Sequence, residues 1–361
     1  MKILYATHAR LPTEKAYGAQ IVQTCAALSE HAEVTLLVPN RNGATPERIR
    51  DAYGISNTFS IHVVDTLDWV QFGRIGFLLS EWFFAREVRR IVQKEKYDVV
   101  YSRDALPLLG LPSDVRTVYE AHTPRWNVFI RRVARSVDVF VSITKGLADW
   151  YTEKGVTKDI AVIPDAVDLA RFENIPDKEV CRRELDIPED IFMVSYIGHL
   201  YPEKGAHILA AAVGHLPEDI TCFFVGGLEQ NVEDFKKHYT SKQIVYVPHQ
   251  PHERVPYYMC ASDVLVVPNS GKHETSARFT SPMKLFEYMA SGRPIVASDV
   301  PALREVLSEE MATFFEADNP ESLAEAIISA KNDGVEKAEK AKEAVQNYTW
   351  QKRAEHIMKI L

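Results

Sequence analysis

Short apolar runs alternate with longer amphipathic segments along almost the whole chain. The short runs are rich in Val, Ile and Phe and predict thirteen strands, which amphipathic segments separate in most cases. Strands that alternate with helices indicate parallel sheets covered on both faces. The predicted strands are Lys2–Ala6, Glu33–Val38, Ser60–Val64, Asp98–Ser102, Thr117–Glu120, Val137–Ile143, Ile160–Ile163, Phe192–Ile197, Thr221–Val225, Ile244–Val247, Val264–Val267, Pro294–Ala297 and Thr313–Phe315.

The amphipathic segments predict helices, and a polar, Pro-bearing stretch divides the elements into two series. That stretch, Asp165–Glu189, is the best candidate hinge. We therefore expect an α/β fold of two Rossmann-like domains, 1–170 and 171–345, with ligand bound at the carboxyl ends of the strands. The last segment, 346–361, predicts one more helix. The other predicted helices are Ala19–Ser29, Gly76–Glu95, Trp126–Ala134, Gly146–Glu153, Ala206–Gly214, Val232–Tyr239, Arg254–Cys260, Pro282–Met289 and Pro320–Lys331.

Charge and cysteine content exclude some function classes. The net charge of −8 argues against a nucleic-acid binder held by a broad basic surface. The four cysteines are scattered, without zinc spacing, which favours a reduced, cytosolic chain. The first residues resemble no leader peptide, and no run approaches the roughly 18 apolar residues that span a bilayer. Residues 1–171 hold 22 basic and 20 acidic side chains, whereas the remainder holds 20 and 30.

The segment that begins at Ser281 carries the most informative pattern. Ser281 and Pro282 suit the N-cap and first position of a helix, which places Lys284 in its first turn. A cation there is unfavourable for the helix but suits a bound phosphate. Glu287 shares a face with Lys284. A solvated Lys–Glu pair on an ordinary helix is an equally good interpretation of this segment alone.

A second segment of the same half favours the phosphate interpretation. Gly198 ends a predicted strand, and a short turn containing His199 and Lys204 leads through Gly205 into a helix. The glycines allow backbone to approach a ligand closely, and Lys204 could reach phosphate oxygens. Alone, this would be an ordinary turn with a surface lysine. Two basic groups at two strand–helix junctions together predict a diphosphate site.

The first half offers two further candidate residues. Gly18 follows a long loop after the first strand and opens a helix, where free backbone amides are expected. His122 lies at the carboxyl end of the fifth predicted strand. A histidine is more often structural, but this position favours a functional role slightly.

Taken together, these residues resemble glycosyltransferase family 4, the retaining GT-B enzymes that use nucleotide-sugar donors. The resemblance covers almost the entire chain and rests on the order and spacing of many short matches. It implies a GT-B fold, with two Rossmann-like domains facing each other across a deep cleft, and a last helix that packs back on the first domain. The matching segments are Gly18, Tyr119–His122, Val162–Asp168, Phe172, Gly198–Gly205, Val225–Gly227, Pro256–Pro268, Ser281–Gly292, Pro301–Glu305 and Tyr348–Trp350.

The resemblance also implies roles for individual residues. Lys204 and Lys284 would hold the diphosphate, Glu287 would bind the ribose hydroxyls, and His122 would lie beside the donor sugar. The implied catalytic residues are His122, Lys204 and Lys284. The implied donor-binding residues are Gly18, Gly198, His199, Val247, His249, Thr280, Ser281, Pro282, Met283 and Glu287. The implied acceptor-side residues are Arg103, Arg125 and Trp126.

Two departures from the family pattern affect the donor site. The first Glu of the family's Glu-x7-Glu pattern should stand at Phe279, and Glu274 is the nearest carboxylate out of register. His199 stands where the family usually has an arginine, which leaves the diphosphate one cation short unless Arg278 substitutes. The segment with Ser-Pro-x-Lys resembles a variant of the family.

The resemblance implies an enzyme that transfers a sugar from a nucleoside diphosphate, with UDP- or GDP-sugar the expected donor, and retains the anomeric configuration. Its place would be cell-surface glycan or glycolipid synthesis. The chain contains no Asp-x-Asp, so we expect no metal and no cofactor. Two alternatives stay open: a GT-B nucleotide-sugar 2-epimerase, and a non-catalytic sugar-nucleotide-binding relative, which would explain Phe279.

The acceptor is the least legible part of the sequence. Aromatic residues beside cations suit an anionic membrane and a lipid-linked acceptor at its inner face. A helix core with a solvated arginine face is the commoner arrangement, and we expect it here. The residues concerned are Trp69, Phe72, Phe77, Leu78, Leu79, Trp82, Phe83, Phe84, Arg86, Arg89, Arg90, Arg125, Arg131, Arg132 and Arg135.

Overall fold

The computed structural model describes residues 1–55 and 58–361 and divides into two compact units. Unit 1 comprises Met1–Asp165 together with Trp350–Leu361, and unit 2 comprises Ala166–Thr349. The chain therefore passes from unit 1 to unit 2 and returns to unit 1 for its last helix.

Unit 1 is built on seven parallel strands in the order β3-β2-β1-β4-β5-β6-β7. Because the order steps outward from β1 in both directions, the carboxyl ends of β1 and β4 flank the point where the topology reverses. The strands are β1 Lys2–Ala6, β2 Glu33–Pro39, β3 Ser60–Val64, β4 Val99–Ser102, β5 Arg116–Ala121, β6 Val139–Ser142 and β7 Ile160–Val162.

The helices of unit 1 cover both faces of this sheet. Right-handed crossovers put α3, α4 and α5 on one face, since each of their connections moves the chain toward β7. The last helix packs against α1. The helices of this unit are α1 Ala16–Leu28, α2 Pro46–Tyr53, α3 Gly73–Lys94, α4 Val128–Ser136, α5 Lys145–Glu153 and α15 Trp350–Ile360.

Unit 2 repeats the same plan with six parallel strands in the order β10-β9-β8-β11-β12-β13. Both units are thus Rossmann-like α/β structures, as the alternating pattern predicted. The strands are β8 Phe192–Ile197, β9 Ile220–Val225, β10 Ile244–Val247, β11 Val264–Val267, β12 Ile295–Ser298 and β13 Thr313–Phe315. The helices are α6 Ala170–Glu173, α7 Lys178–Glu184, α8 Ala206–Ala212, α9 Glu229–His238, α10 Val255–Ala261, α11 Glu274–Arg278, α12 Met283–Ser291, α13 Pro301–Arg304 and α14 Pro320–Ala344.

Each of the thirteen predicted strands is present, within two residues at either end. The central residues of the inner strands are buried on both faces, which is why these strands are almost continuously apolar, whereas β3, β7 and β10 are only partly buried. The helices agree less well. The helix predicted over Pro320–Lys331 continues to Ala344, since its Ala-rich and charged second half remains a good helix former. The helix predicted over 346–361 begins only at Trp350, after a short 3-10 turn.

The predicted hinge stretch, Asp165–Glu189, is mostly a packed part of unit 2. It contains α6 and α7, and the buried guanidinium of Arg182 donates to Asp263 Oδ2 at 2.6 Å and to the carbonyl of Ala261 at 3.0 Å. Arg182, one of the polar residues of this stretch, is thus a buried, fully bonded side chain, and a hinge within the stretch stays a prediction. The boundary between the units falls at the start of this stretch.

Candidate functional site

Lys284 is the central group of the candidate site in unit 2. It lies in the first turn of α12, and its Nζ is buried although part of the side chain is exposed. Among the described residues, none accepts a hydrogen bond from Nζ. The ammonium lies 3.9 Å above the centre of the Tyr196 ring. A buried ammonium without an acceptor is costly, so this arrangement suits a site that an anion completes.

The turn after β8 lies directly against Lys284. A Cβ atom on Gly198 would come within 3.5 Å of Lys284 Nζ, and the φ of Gly198 is +139°. Gly205, at the start of α8, also has a positive φ, and a Cβ there would meet the Pro268 carbonyl oxygen at 1.6 Å. The Tyr288 hydroxyl accepts from the backbone N–H of Ile197 at 2.9 Å, which fixes α12 to the end of β8. Gly198 thus lies against Lys284, and Lys204 is close enough to Lys284 to affect its pKa; that the three residues bind a diphosphate stays a prediction.

Burial lowers the pKa of both lysines, and for Lys284 the charge of a neighbouring lysine adds to this effect. Burial lowers the pKa of Lys284 well below its ordinary value, the nearby Lys204 lowers it further, and Glu287 opposes both effects. Burial also lowers the pKa of Lys204. Because Lys204 lies close enough to lower the pKa of Lys284, the two ammonium groups together favour a ligand with more than one negative charge.

Glu287 is already held by a residue that the sequence analysis missed. Arg171 donates to Glu287 Oε1 at 2.7 Å and, through its other terminal nitrogen, to the carbonyl of His252 at 2.7 Å. Arg171 follows the start of unit 2, 116 residues before its partner, so no local pattern could have revealed the pair. It connects the predicted ribose carboxylate to the loop between β10 and α10.

The start of α12 differs from the prediction. The helix begins at Met283, its N-cap is Pro282, and no side chain caps it. Ser281 therefore lies one residue before the cap, because the extended conformation of Pro282 delays the helix. Ser281 and Pro282 are buried, whereas Thr280 and Met283 are partly exposed.

The structure shows what surrounds the residues at the two positions that depart from the family pattern. Phe279 is fully buried, so its position belongs to the apolar core. Glu274 and Arg278 pair with each other at 3.1 Å on the surface of α11. His199 stacks on Tyr201, with ring centroids 5.1 Å apart.

Val247, an implied donor-binding residue, is the last residue of β10, and His249, another one, lies in the loop that follows. The carbonyl of Val247 accepts from the backbone N–H of Gly226 at 3.0 Å, and a Cβ on Gly226 would lie 3.4 Å from the carbonyl oxygen of Gly198. Val247 is therefore close to the turn that faces Lys284. His249 is exposed.

In unit 1, His122 belongs to a buried network centred on Glu120. His122 Nε2 contacts Glu120 Oε1, and Arg353 of α15 pairs with the same oxygen at 2.9 Å. Burial would raise the pKa of Glu120, but Arg353 and His122 hold it well below its ordinary value. Burial, then Arg103, lowers the pKa of His122 to about 4, against the opposing effect of Glu120. At neutral pH His122 is thus an uncharged imidazole beside a carboxylate.

Arg103 joins the same network, whereas the other predicted residues of unit 1 do not. Arg103 donates to Gln20 Oε1 at 2.7 Å, and Gln20 donates to Glu120 at 3.0 Å. Gly18 lies in the first turn of α1, and a Cβ there would meet the hydroxyl of Tyr53 at 2.0 Å, so close helix packing requires this glycine.

Arg125 and Trp126 lie apart from this network, before α4. Arg125 is exposed, and Trp126 packs edge-on against Tyr151 at 6.2 Å. Glu120, Gln20 and Arg353 were missed as site residues. Their only local signal was the alternation that puts Glu120 on the same side of β5 as His122.

Most of the large apolar residues of α3 and of the segment before it are not the helix core that we expected. Phe84 is buried and Phe83 half-buried, but the others are at least 38% exposed. Charged and polar residues do not cover them, because the core-facing stripe of α3 uses other positions. The exposed residues are Trp69, Phe72, Phe77, Leu78, Leu79 and Trp82.

Two family models match the chain, one on each half. The model described as Glycosyltransferase Family 4 matches residues 18–171, and the model described as Glycosyl transferases group 1 matches residues 177–348. Together they span most of the sequence. No group of three or more His, Cys, Asp or Glu side chains suited to a metal ion occurs in residues 1–55 and 58–361.

Curated relatives are similar at moderate identity. A Bacillus subtilis protein assigned provisionally to teichuronic acid biosynthesis as the glycosyltransferase TuaC is 26% identical over 273 residues, which cover 70% of this chain and 67% of that one. A D-inositol 3-phosphate glycosyltransferase of Corynebacterium urealyticum is 25% identical over 56% of this chain and 50% of its own. The match thus spans only about half the length of this second relative.

Solved structures agree with the fold over the full length. HepE of Anabaena in complex with UDP superposes with a TM-score of 0.78 at 17% identity, covering 99% of both chains. Sucrose-phosphate synthase of Thermosynechococcus elongatus gives a TM-score of 0.80 at 18% identity, covering 100% of this chain and 98% of that one. Both are similar in fold to almost the whole of this chain.

Proposed function

We propose that this chain, a glycosyltransferase of the GT-B type, moves a sugar from a nucleoside-diphosphate donor to an acceptor hydroxyl with retention of the anomeric configuration. UDP-sugar is the donor that we favour over GDP-sugar, because the similar Anabaena structures contain UDP and UDP-glucose. The observation that carries the proposal is the buried ammonium of Lys284, which faces Gly198 and has no hydrogen-bond acceptor in residues 1–55 and 58–361.

In this proposal the diphosphate is bound by groups of unit 2. Lys284 and Lys204 neutralise the charge that develops on the β-phosphate as the bond between it and the anomeric carbon breaks. Glu287, oriented by Arg171, accepts hydrogen bonds from the ribose hydroxyls, and Val247 with His249 lies against the base. Backbone at Gly198 approaches the diphosphate because no side chain intervenes.

The proposed reaction needs no protein nucleophile. The acceptor oxygen forms a bond to the anomeric carbon on the face that the phosphate leaves, and the departing phosphate oxygen takes the acceptor's proton. His122, neutral at pH 7 and held by Glu120, is proposed to hydrogen-bond the donor sugar, and Gly18 to lie near the diphosphate. Arg103, Arg125 and Trp126 are proposed to meet the acceptor.

We further propose that the acceptor is a glycan or lipid-linked glycan of the cell surface, and that the protein works in the cytoplasm at the inner face of an anionic membrane. The names of similar proteins, which include teichuronic acid and lipopolysaccharide biosynthesis, favour this acceptor class. No helix of the described residues is long and apolar enough to cross a bilayer. Contact with a membrane would therefore be peripheral on this part of the chain.

A panel of nucleotides and nucleotide sugars tests the proposal. UDP should raise the melting temperature more than GDP or ADP, and the matching UDP-sugar should release UDP when an acceptor is present. An isomerised sugar nucleotide would identify a 2-epimerase instead, and binding without turnover would identify the non-catalytic alternative. No shift with any of the three nucleoside diphosphates would contradict the donor site itself.

A further inference from the structure

Helix α3 has apolar residues on two opposite faces, and only one face belongs to the core. Its buried residues Gly76, Ser80, Phe84 and Val88 recur every four positions. On another face, the positions i, i+3, i+4 and i+7 are large, apolar and 38–75% exposed. A helix that packs on a single core has polar residues on this second face. The exposed residues are Ile75, Leu78, Leu79 and Trp82.

The segment before α3 extends this apolar surface. Trp69 and Phe72 are 41% and 66% exposed and contact each other edge-to-face at 6.4 Å. The segment is fixed to the helix, since the backbone N–H of Trp69 donates to Ser80 Oγ at 2.7 Å. A Cβ on Gly76 would lie 1.9 Å from the carbonyl oxygen of Trp69, so this close approach depends on the glycine. We call these six residues, Trp69, Phe72, Ile75, Leu78, Leu79 and Trp82, the aromatic patch.

The aromatic patch shares its face of the sheet with an arginine-rich segment. Connections that cross in the same direction put α3 and α4 on the same face of unit 1. Residues 121–137 contain four arginines and no acidic residue. All four arginines are exposed. Burial and Asp104 raise the pKa of Glu81 on α3 to about 7, and Arg125 lies close enough to oppose this rise. The arginines are Arg125, Arg131, Arg132 and Arg135.

We propose that the aromatic patch and the four arginines form one docking surface for an anionic lipid bilayer. Large apolar and aromatic side chains flanked by cations have the chemistry of a helix that lies in the headgroup region. Contiguous apolar surface of this kind is uncommon on soluble proteins and marks an interaction site. This inference rests on the proposed function, which includes contact with an anionic membrane, and it names the residues that make that contact. Membrane binding through this surface does not depend on sugar transfer.

A second copy of the chain fits this surface less well than a bilayer. A two-fold dimer through the aromatic patch would bring the same surface of both copies together. The four arginines of one copy would then approach those of the other. Residues 121–137 contain no acidic side chain that could offset this repulsion. An anionic bilayer satisfies the apolar and the cationic parts at once.

Vesicle co-sedimentation tests the surface directly. The full chain should pellet with vesicles of phosphatidylglycerol and phosphatidylcholine, but not with phosphatidylcholine alone. Phe72→Ser with Ile75→Ser should weaken binding at least about tenfold because it removes inserted apolar area. Arg131→Gln with Arg132→Gln should weaken it roughly 25-fold, at about fivefold per cation. Vesicles with brominated acyl chains should quench tryptophan fluorescence, and Trp69→Phe with Trp82→Phe should lose most of that quenching.

Matched controls come from exposed residues of unit 2. Val335→Ser removes an apolar side chain that is 69% exposed on α14, and Lys236→Gln with Lys237→Gln removes two cations of α9. Neither should change vesicle binding. Absence of pelleting with phosphatidylglycerol, or equal pelleting of all variants, would overturn the proposal. So would a dimer in solution that Phe72→Ser with Ile75→Ser converts to a monomer. The melting shift with UDP, measured on the same variants, reports on the donor site separately.

Discussion

Lys284 combines two properties that seldom occur together in a folded protein. Its ammonium nitrogen is buried without an acceptor among the described residues, and a second lysine close by lowers its pKa further. Such a group destabilises the ligand-free protein. The same group strengthens binding of a multiply charged anion, because the interaction takes place away from water.

Replacing Lys284 by alanine should therefore separate activity from stability. We expect sugar transfer to fall by about 100-fold or more, since the variant loses a cation that faces developing phosphate charge. The melting temperature should stay equal or rise, because a buried ammonium without a hydrogen-bond acceptor among the described residues is removed. Steady-state kinetics and thermal denaturation measure the two effects. Lys237→Ala, on the exposed face of α9, is the control, and near-normal turnover of the Lys284 variant would refute its role.

The lowered pKa of Lys284 also predicts that donor binding takes up a proton. Between its lowered pKa and the ordinary value of 10.5, Lys284 is partly neutral in the free protein. A bound diphosphate raises its pKa and recharges it, so affinity for UDP should fall as pH rises through this range. Calorimetry in two buffers of different ionisation enthalpy measures the proton uptake. Lys284→Met should abolish it; equal uptake by the variant would assign the proton to another group.

At this scale the sequence predicts local arrangements better than distant ones. Lys284, Lys204 and Gly198 were predicted as one site because each belongs to a strand–helix junction. Arg171 and Arg353 were not, since their partners Glu287 and Glu120 are brought to them only by the folded sheets. Ser281 was assigned as the N-cap from its residue type, whereas the conformation of Pro282 decides where the helix begins.

Among the elements, the turn between β8 and α8 offers a matched pair of glycines. Gly205→Ala should destabilise the protein by about 3 kcal/mol or more, because its Cβ would overlap the Pro268 carbonyl oxygen and its φ is +74°. Gly198→Ala should cost only about 1–2 kcal/mol of backbone strain, since its nearest neighbour is Lys284 Nζ at 3.5 Å.

The variant that loses less stability should lose more of its response to UDP. Gly198→Ala should lose most of the melting shift caused by UDP, because its methyl group lies between the backbone and the phosphate-facing ammonium. Gly205→Ala, where it folds, should keep that shift. Urea denaturation and thermal-shift measurements compare them, and a full UDP response of Gly198→Ala would show that backbone there does not meet the ligand.

The last helix is the second element with a measurable role. Arg353 pairs with buried Glu120 at 2.9 Å and donates to the carbonyl of Pro164 at 3.0 Å, which ties α15 to unit 1. Glu120→Gln should lower the free energy of unfolding by about 3–5 kcal/mol, since it removes the carboxylate that pairs with buried Arg353 and leaves only Asp165 as a nearby acidic group in the described part of the chain. Adding Arg353→Met should recover part of that loss in a double-mutant cycle.

The effect of Glu120→Gln should depend on pH with a definite sign. The folded-state pKa of Glu120 is lowered, so its charge contributes stability above the unfolded-state pKa, and this contribution is lost as pH falls toward the folded-state value. The difference between wild type and variant should therefore be large at neutral pH and shrink in acid. Denaturant titrations across this range measure it, and a difference that grows in acid would contradict the assigned pairing.

Strands were predicted more closely than helices for a physical reason. A strand of a covered parallel sheet is buried on both faces and ends where the apolar run ends, as in Phe192–Ile197. A helix can continue beyond its core contacts on propensity alone, as α14 does to Ala344. The exposed aromatic stripe of α3 was mistaken for core because the sequence carries two apolar faces and does not say which one packs.

In the whole molecule, the two units differ strongly in charge. Unit 1 carries 24 basic and 20 acidic side chains, and unit 2 carries 18 and 30. The two lysines that we propose bind the diphosphate thus lie in the acidic unit, where net charge is a poor guide to the ligand. The proposed docking surface lies in the basic unit, where the positive charge of the four arginines has the same sign as the net charge of the unit.

This distribution predicts opposite salt responses for the two proposed ligands. The four arginines of the docking surface are exposed, so added NaCl should screen them and release the protein from phosphatidylglycerol vesicles. Lys284 Nζ is buried, and its interaction with a diphosphate is screened far less, so affinity for UDP should change by no more than about threefold over the same range. Co-sedimentation and calorimetry at matched NaCl concentrations compare the two.

Because the net charge of −8 repels an anionic bilayer, vesicle binding that survives at high salt would mean that apolar insertion dominates. A parallel loss of both ligands would instead place the diphosphate on exposed cations and contradict the assignment of Lys284.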